Sequence, residues 1–429
     1  MNDILSLCTN TDAVNRIKAH RKRVAALIDR GVHCPCPETV EIGEEVDLNR
    51  IHPTARIHAG TRIAGARTWV GPNVSLGREA PVTIENCVLG PNVVLDGGFY
   101  RGATMLDGAN TRSGAHVREG TLFEEQASAA HCVGLKQTIL LPYVTLGSLI
   151  NFCDCLMAGG TGRKDHSEVG SGYIHFNFTP RGDKVTPSLF GDVPRGVLLD
   201  QPRIFLGGLA ASVGPLRVGY GAFLGPGAVY RRDVREGRFL LSEKPIQLEM
   251  TFDPKVLAGL PVKLKKTFRY IGNLAALWQW YQHVRPLFAE PDHAILYQAA
   301  QETITSGIHE RIKQLQRLVD LVPESVARLR AQGAPERSIE AQQRLVVAWP
   351  ALRELLEGFS SFEGDPGLRD HLLETLHSSA SPGAYLETIP ALPTRAKKSA
   401  TGWLQDVVSS LSSAADRTLA SAVAGSGAR

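Results

Sequence analysis

Cysteine is scarce in this chain, with 7 among 429 residues, and methionine is scarcer still, with 4. An odd count without Cys-x-x-Cys spacing argues against a disulfide framework and against the common structural zinc motifs. Cys34-Pro-Cys36 and Cys153-Asp-Cys155 would each place two sulfurs on one side of a strand. Neither pair has a partner pair, so ordinary thiols are expected. Apolar runs are short, and none reaches the ~18–20 residues a membrane-crossing helix needs, so no span is expected. The opening Met1-Asn-Asp-Ile-Leu-Ser lacks the basic-then-apolar order of a secretory signal. Reduced thiols and that missing order point to the cytoplasm. The net charge is only +4. The basic clusters His20-Arg-Lys-Arg23 and Lys263-Leu-Lys-Lys266 are not interleaved with aromatics, so they read as solvated helix faces rather than a nucleic-acid surface.

What the chain does have is a rhythm of six residues. It runs Ile51-His-Pro-Thr-Ala-Arg, Ile57-His-Ala-Gly-Thr-Arg and Ile63-Ala-Gly-Ala, then Val70-Gly-Pro-Asn-Val-Ser and Leu76-Gly-Arg-Glu-Ala. It returns as Val218-Gly-Tyr-Gly-Ala-Phe and Leu224-Gly-Pro-Gly-Ala-Val. An aliphatic residue opens each unit and a small residue usually follows. Such a period predicts a mainly β solenoid, a left-handed parallel β-helix in which three units make one triangular coil. The opening side chains stack inward, and Gly, Asn or Asp at the corners tolerates positive φ. Two stretches break the rhythm, 158–169 and 179–199, and loops leaving a solenoid corner are where function concentrates.

The composition changes after Lys244-Pro245. Helical periodicity marks 256–288, 294–322, 324–332, 339–358 and 366–377, giving a C-terminal α-helical domain. Its aromatic stripe, including Leu277-Trp-Gln-Trp-Tyr, reads as bundle core. The predicted organisation is 1–36, a helix from Thr11 or Asp12 to about Arg30 with a linker; 37–244, the β-helix; 245–378, the helical domain; and 379–429, a Pro/Ser/Ala-rich linker with a terminal amphipathic helix, partly disordered. That last helix, 403–423, would dock on another subunit or form a loose tail.

Between the Arg21 region and Lys244, about half the chain resembles the acetyltransferase half of the bacterial bifunctional glucosamine-1-phosphate acetyltransferase/uridyltransferase, a hexapeptide-repeat transferase. Arg23-Val-Ala-Ala-Leu-Ile-Asp-Arg-Gly-Val is similar to the family's linker helix, and Cys36-Pro-Glu-Thr-Val to its first coil. Ile204-Phe-Leu-Gly-Gly-Leu and the run from Val218 to Val234 resemble its closing coils. Ile174-His-Phe-Asn-Phe178, a loop with Lys184, and Leu189-Phe-Gly-Asp192 resemble its Ile-x-x-Asn-Tyr, loop-Lys, Ile-Gly-Asp segment. The Gly-rich nucleotide loop of the uridyltransferase half has no counterpart, so no pyrophosphorylase activity is expected.

The resemblance implies an acyltransferase using acetyl-CoA on a sugar phosphate or nucleotide sugar of UDP-N-acetylglucosamine type, working as a homotrimer. Arg118 and Lys136 stand where the family grips phosphate, at the same mutual spacing; Arg grips bidentately and Lys adds a point charge. Asn177 matches a residue near the acetyl group and pantetheine, and Phe178 replaces a Tyr, keeping the ring and losing the hydroxyl. Lys184 matches a loop Lys that reaches a neighbour's sugar. Gly208 and Gly225 lie in the late-coil backbone that positions the thioester. The departures are Ser148 for the general-base His, Asn151 for a Tyr, Glu168 for an Asn at the amino sugar, and Glu243 for an Arg that pairs with the coenzyme A phosphate, with Lys244 beside it as substitute. A serine hydroxyl alone is no base near neutral pH. His131, His166 and His175 lie nearby in sequence. His166, with Asp165 as orienting neighbour, or His175 would be the relocated base. Their spacing does not match the His-x-x-x-x-His of solenoid carbonic anhydrases, and no metal is expected. The alternative is a non-catalytic solenoid that keeps the anion pocket as a sugar-nucleotide sensor or assembly platform.

Overall fold

The computed structural model describes residues 11–242, 249 and 252–422. Helix α1 (Thr11–Asp29) ends at Gly31, which turns the chain at φ +111°. Val24 and Leu27 bury against the first coil, and Arg23 donates to the Gly43 carbonyl at 3.0 Å. The helix thus covers the open end that every solenoid must cap.

A parallel β-solenoid of about 11 turns follows. It is a three-faced prism. The first face carries strands such as Arg62–Ala64, Val82–Glu85 and Gly98–Arg101; the second, Trp69–Val70, Val88–Leu89 and Thr104–Met105; the third, Arg56–Ile57, Ser75–Leu76 and Val94–Leu95. The unit-opening aliphatics all point inward. Ile57 stacks on Leu76 in the third face, Ile63 on Ile84 in the first, and Ile51 on Val70 in the second. Each is essentially fully buried. Two long strands, Val133–Leu140 and Ile150–Met157, run across the corner between first and second faces and join them into one 16-stranded sheet. The corner between third and first faces passes through left-handed backbone at Cys132, Leu149 and Leu209, where no glycine relieves the strain.

The second face differs from the others on its outer side. Outward residues are polar on the first face (Arg62, Thr83, His116) and along much of the third (Arg56, Ser75, Asn110). On the second, apart from Thr104 and Arg217, they are apolar, and none of Val88, Leu122, Ile139, Leu156 and Leu189 is more than 4% exposed. The helical region covers them. After a short α2 (Val193–Gly196) within the solenoid, it comprises α3 (Leu260–His283), α4 (Ala294–Ala331), α5 (Glu336–Glu357), α6 (Pro366–His377), α7 (Tyr385–Ala391) and α8 (Thr394–Ser421). Helix α4 lies on the second-face strands Val88–Leu89, Thr104–Met105 and Leu122–Phe123, where the Thr104 and Thr303 hydroxyls are 2.9 Å apart.

Two expectations need correction. The break predicted between 322 and 324 does not occur: α4 runs through Pro323. Proline in a helix interior costs about 3 kcal/mol, and burial of Val319, Val322, Val326 and Leu329 around it outweighs that. The predicted linker is largely helical, as α7 and the start of α8, and the predicted terminal helix docks on this chain's own α3 rather than on another subunit. Trp403 of α8 is fully buried against Trp280 of α3, and a Cβ on Gly272 would sit 3.0 Å from the Val408 carbonyl, so α3 and α8 pack at backbone distance. Tyr385 of α7 accepts a hydrogen bond from Trp280 at 3.0 Å and donates to the Val197 carbonyl at 3.3 Å. Pro393 sits at the N-cap of α8, where its missing donor costs nothing.

A buried charge cluster pins this region to the solenoid. Arg285, just after α3, is 0% exposed and donates to Glu125. Its guanidinium lies 3.8, 4.6 and 5.2 Å from the ring centres of Tyr385, Tyr297 and Tyr281. Tyr281 donates to Glu124 at 2.7 Å. Burial pushes Glu124 up from 4.5 to about 7, with Glu125 adding to the shift and Arg285 opposing it. Arg285→Ala should cost about 3–5 kcal/mol in denaturant unfolding, because it strands Glu125. An acid whose folded pKa is raised contributes fully below its unfolded value and loses that contribution as pH climbs to the folded one. Glu124→Gln keeps an acceptor for Tyr281 and removes that loss, about 3 kcal/mol over the interval. Thermal melts should therefore show the variant above the parent at pH 8 and level with it near pH 4.

Candidate functional site

The sequence candidates fall on several sides of the prism. Val117 pairs with Leu135 and Lys136 with Cys153, so Arg118, Lys136 and Cys153 occupy successive rungs where the first face turns toward the second. Rungs repeat at about 4.8 Å. Arg101 and Glu119, beside them, pair with each other at 2.6 Å. Arg118 and Lys136, both half-buried, make no ion pair among the described residues, and the Arg118 Nε is buried without a partner. Two unmatched cations one rung apart suit a phosphate.

The rest of this corner is a polar network. Cys153 donates its thiol to Asn151 Oδ1 at 3.1 Å. Burial, and after it the Asp154 charge, pushes the Cys153 thiol up to about 11, so it is no thiolate at neutral pH. Asp154 accepts from Asn177 Nδ2 at 2.6 Å and from Arg311 of α4, which is 3% exposed. The helical region thereby reaches into the corner. Asn177 keeps one buried oxygen, Oδ1, without a partner. Phe178 follows it, with its ring exposed, and Lys184 is exposed farther along the same loop.

His175 is not there. It points into the prism between Phe152 and Ser212, with Nδ1 2.7 Å from the Cys153 carbonyl and Nε2 2.7 Å from Ser188 Oγ. Burial lowers it to about 4, so it is a neutral, satisfied interior residue rather than a relocated base. His166 also lies elsewhere. The insertion folds as a hairpin of Gly160–Gly162 and Asp165–His166 at the corner between second and third faces. Arg163 ties it down through the carbonyls of Gln126 (3.0 Å) and Tyr143 (2.9 Å). Asp165 bonds Thr161 at 3.1 Å instead of orienting the imidazole. The width of the second face separates His166 from Arg118 and Lys136.

Glu168 lies outward on the third face between Thr145 and Phe205. Gly208 and Gly225 serve coil packing: a Cβ on Gly208 would sit 2.7 Å from the Ser171 carbonyl, and one on Gly225 would collide with Leu241. Lys244 and Glu243 lie outside the described residues. Among those residues no three His, Cys, Asp or Glu side chains cluster closely enough to hold a metal.

Ser148 has a partner that reading along a single rung missed. Its hydroxyl lies 2.9 Å from Nδ1 of His131 at the solvent-facing corner between third and first faces. Ala129 pairs with Leu146, so two residues further on His131 sits directly one rung from Ser148. Counting one coil back from 148, using the interval between Val133 and Ile150, would have found it. An imidazole therefore occupies the corner from which the resemblance had removed one.

No known family's profile matches the chain, and no curated protein is significantly similar to it. The likeness to sugar-phosphate acetyltransferases is carried by the quoted residues alone. One chemical consequence of the geometry is directly testable. Iodoacetamide at pH 7.5 should label exposed Cys132 well before Cys153, whose modification should require unfolding, as read by peptide mass spectrometry.

Proposed function

We propose that the chain is an acyl-CoA-dependent N-acyltransferase acting on a phosphorylated amino sugar. The single observation that carries this reading is the Ser148–His131 hydrogen bond of 2.9 Å, which puts an imidazole beside the position of the resembled family's base. Arg118 and Lys136, at the other edge of the first face, would hold the sugar phosphate. Bound acetyl-CoA would supply a thioester carbonyl open to attack by an amine. As the amine nitrogen forms its bond to that carbonyl carbon, His131 takes the amine proton through Ser148, and the sulfur leaves as the carbon–sulfur bond breaks. Asn177, with its unpartnered buried oxygen, and the exposed Phe178 ring line the approach of the acyl donor. A homotrimer, in which Lys184 reaches the sugar of the next copy, and a cytoplasmic setting belong to the same proposal.

A second reading, a sugar-nucleotide-binding platform without chemistry, is favoured by one observation: no imidazole shares the Arg118–Lys136 column, His131 lying at the opposite edge of the first face and His166 and His175 elsewhere. Release of free coenzyme A with glucosamine-1-phosphate and acetyl-CoA separates the two. Under the enzyme reading, His131→Ala lowers kcat by about 10²–10⁴-fold, and Arg118→Ala chiefly raises KM. Calorimetric binding of glucosamine-1-phosphate with no thiol release would leave the platform reading standing. Absence of both binding and turnover would sink both.

A further inference from the structure

A second group of unmatched cations lies far from Arg118, where α3 crosses the last coils of the second face. Leu189 and Arg217 are outward neighbours there. With Leu216 and with Val262, Lys265, Lys266 and Arg269 of α3 they surround a cavity of about 210 Å³. It shares Arg217 and Asp233 with a neighbouring open basin of about 520 Å³ that carries Arg235 and Arg238.

The carboxylates around it are already engaged. Asp192 and Glu236 both bind Arg195. Asp233 accepts from Lys266 at 2.7 Å and from the Arg217 amide at 2.9 Å. The Arg217 and Arg269 guanidinium groups and the Lys265 ammonium make no ion pair among the described residues, and the Arg269 Nε is buried without a partner. Burial and then the charge of Arg217 pull the Arg269 pKa down, against the opposing charges of Asp192 and Asp233. Folding alone gains nothing from this arrangement: half-buried like charges repel, and desolvation adds to the cost. Such locally unfavourable groupings are typical of binding sites.

We propose that this cavity binds a phosphate-bearing small molecule. A phosphate would bridge the forks of Arg217 and Arg269, with Lys265 at the rim. Leu189, Leu216 and Val262 would take a small apolar group attached to it. The cavity is below the ~300–1,000 Å³ of pockets for drug-sized ligands, which limits the occupant to a compact phosphate or diphosphate ester. Both walls are needed, so the site exists only because the helical region docks on the solenoid. The proposal does not rest on the acyltransferase reading.

Isothermal titration of the full chain with inorganic phosphate and pyrophosphate tests it, with sedimentation against phosphatidic acid vesicles as a separate arm. The expected result is saturable pyrophosphate binding in which one site per chain is weakened at least tenfold by Arg217→Gln and by Arg269→Gln and persists in Arg118→Gln. Unliganded Arg269→Gln should melt at or above the parent temperature, since it relieves repulsion. The site is refuted if pyrophosphate affinity stays within twofold in the Arg217/Arg269 variants, or if Arg118→Gln abolishes it. Melting of Arg269→Gln several degrees below the parent would also overturn the proposal, by showing a structural role. Capture by vesicles without binding of free pyrophosphate would reject a small-molecule ligand.

Discussion

The second face of the prism is apolar on both sides, and the rest of the molecule is arranged around that fact. A solenoid strand ordinarily needs only one apolar side. Here Val88, Leu122, Ile139, Leu156 and Leu189 face outward, each worth about 1.5–3 kcal/mol when buried. Left bare they would form a ready surface for unwanted association. The helices cover them, and the buried Arg285, held by Glu125 and three tyrosine rings, sets the position of the cover. Nonspecific burial supplies the attraction, and the charge cluster supplies the register, because it tolerates no sliding without stranding an ion.

Docking places two arginines of the helical region at the margins of the covered face. Arg311 of α4 reaches Asp154 and, through it, Asn177 at one margin; Arg269 of α3 faces Arg217 at the other. The two margins differ in their electrostatics. At the first, the helical arginine is neutralised by a carboxylate, and the unmatched cations are the solenoid's own Arg118 and Lys136. At the second, unmatched charge comes from both partners. A helical region that only shielded apolar surface would not need such charges at both edges.

The solenoid was legible in the sequence because its signal is periodic and local: Ile51, Ile57 and Ile63 take one face each, as the six-residue spacing implies. The helices were legible to within a few residues where they begin at a clear signal, as α6 does at Pro366. Proline misled where packing overrode it, at Pro323, and composition misled at 379–398, where helices that bury Tyr385, Ile389 and Ala396 stand in place of a linker. Of the site, the Arg118–Lys136 column could be read from spacing, since one coil separates them. The role of His175 could not, because alternation decides inward from outward and a polar residue at an inward position breaks the usual pattern. His131 was named as a sequence neighbour but not as a candidate base, for a related reason: its partner Ser148 is adjacent across the coil, not along the chain.

Helix α4 spans 38 residues, roughly 57 Å at 1.5 Å per residue. A bare solenoid is nearly one-dimensional: each coil knows only its neighbours, and coils can fray from either end in small steps. This helix touches the coil of Thr104 at Thr303 and that of Asp154 at Arg311, while Leu296 lies against Gly90 and Leu321 against Gly182 nearer its ends. Peeling away any coil in that stretch must therefore break contacts with an element that also holds coils far from it. The helix converts a zipper into a single cooperative block, and a phosphate or sugar bound at either edge would be linked through it to the folding of the whole.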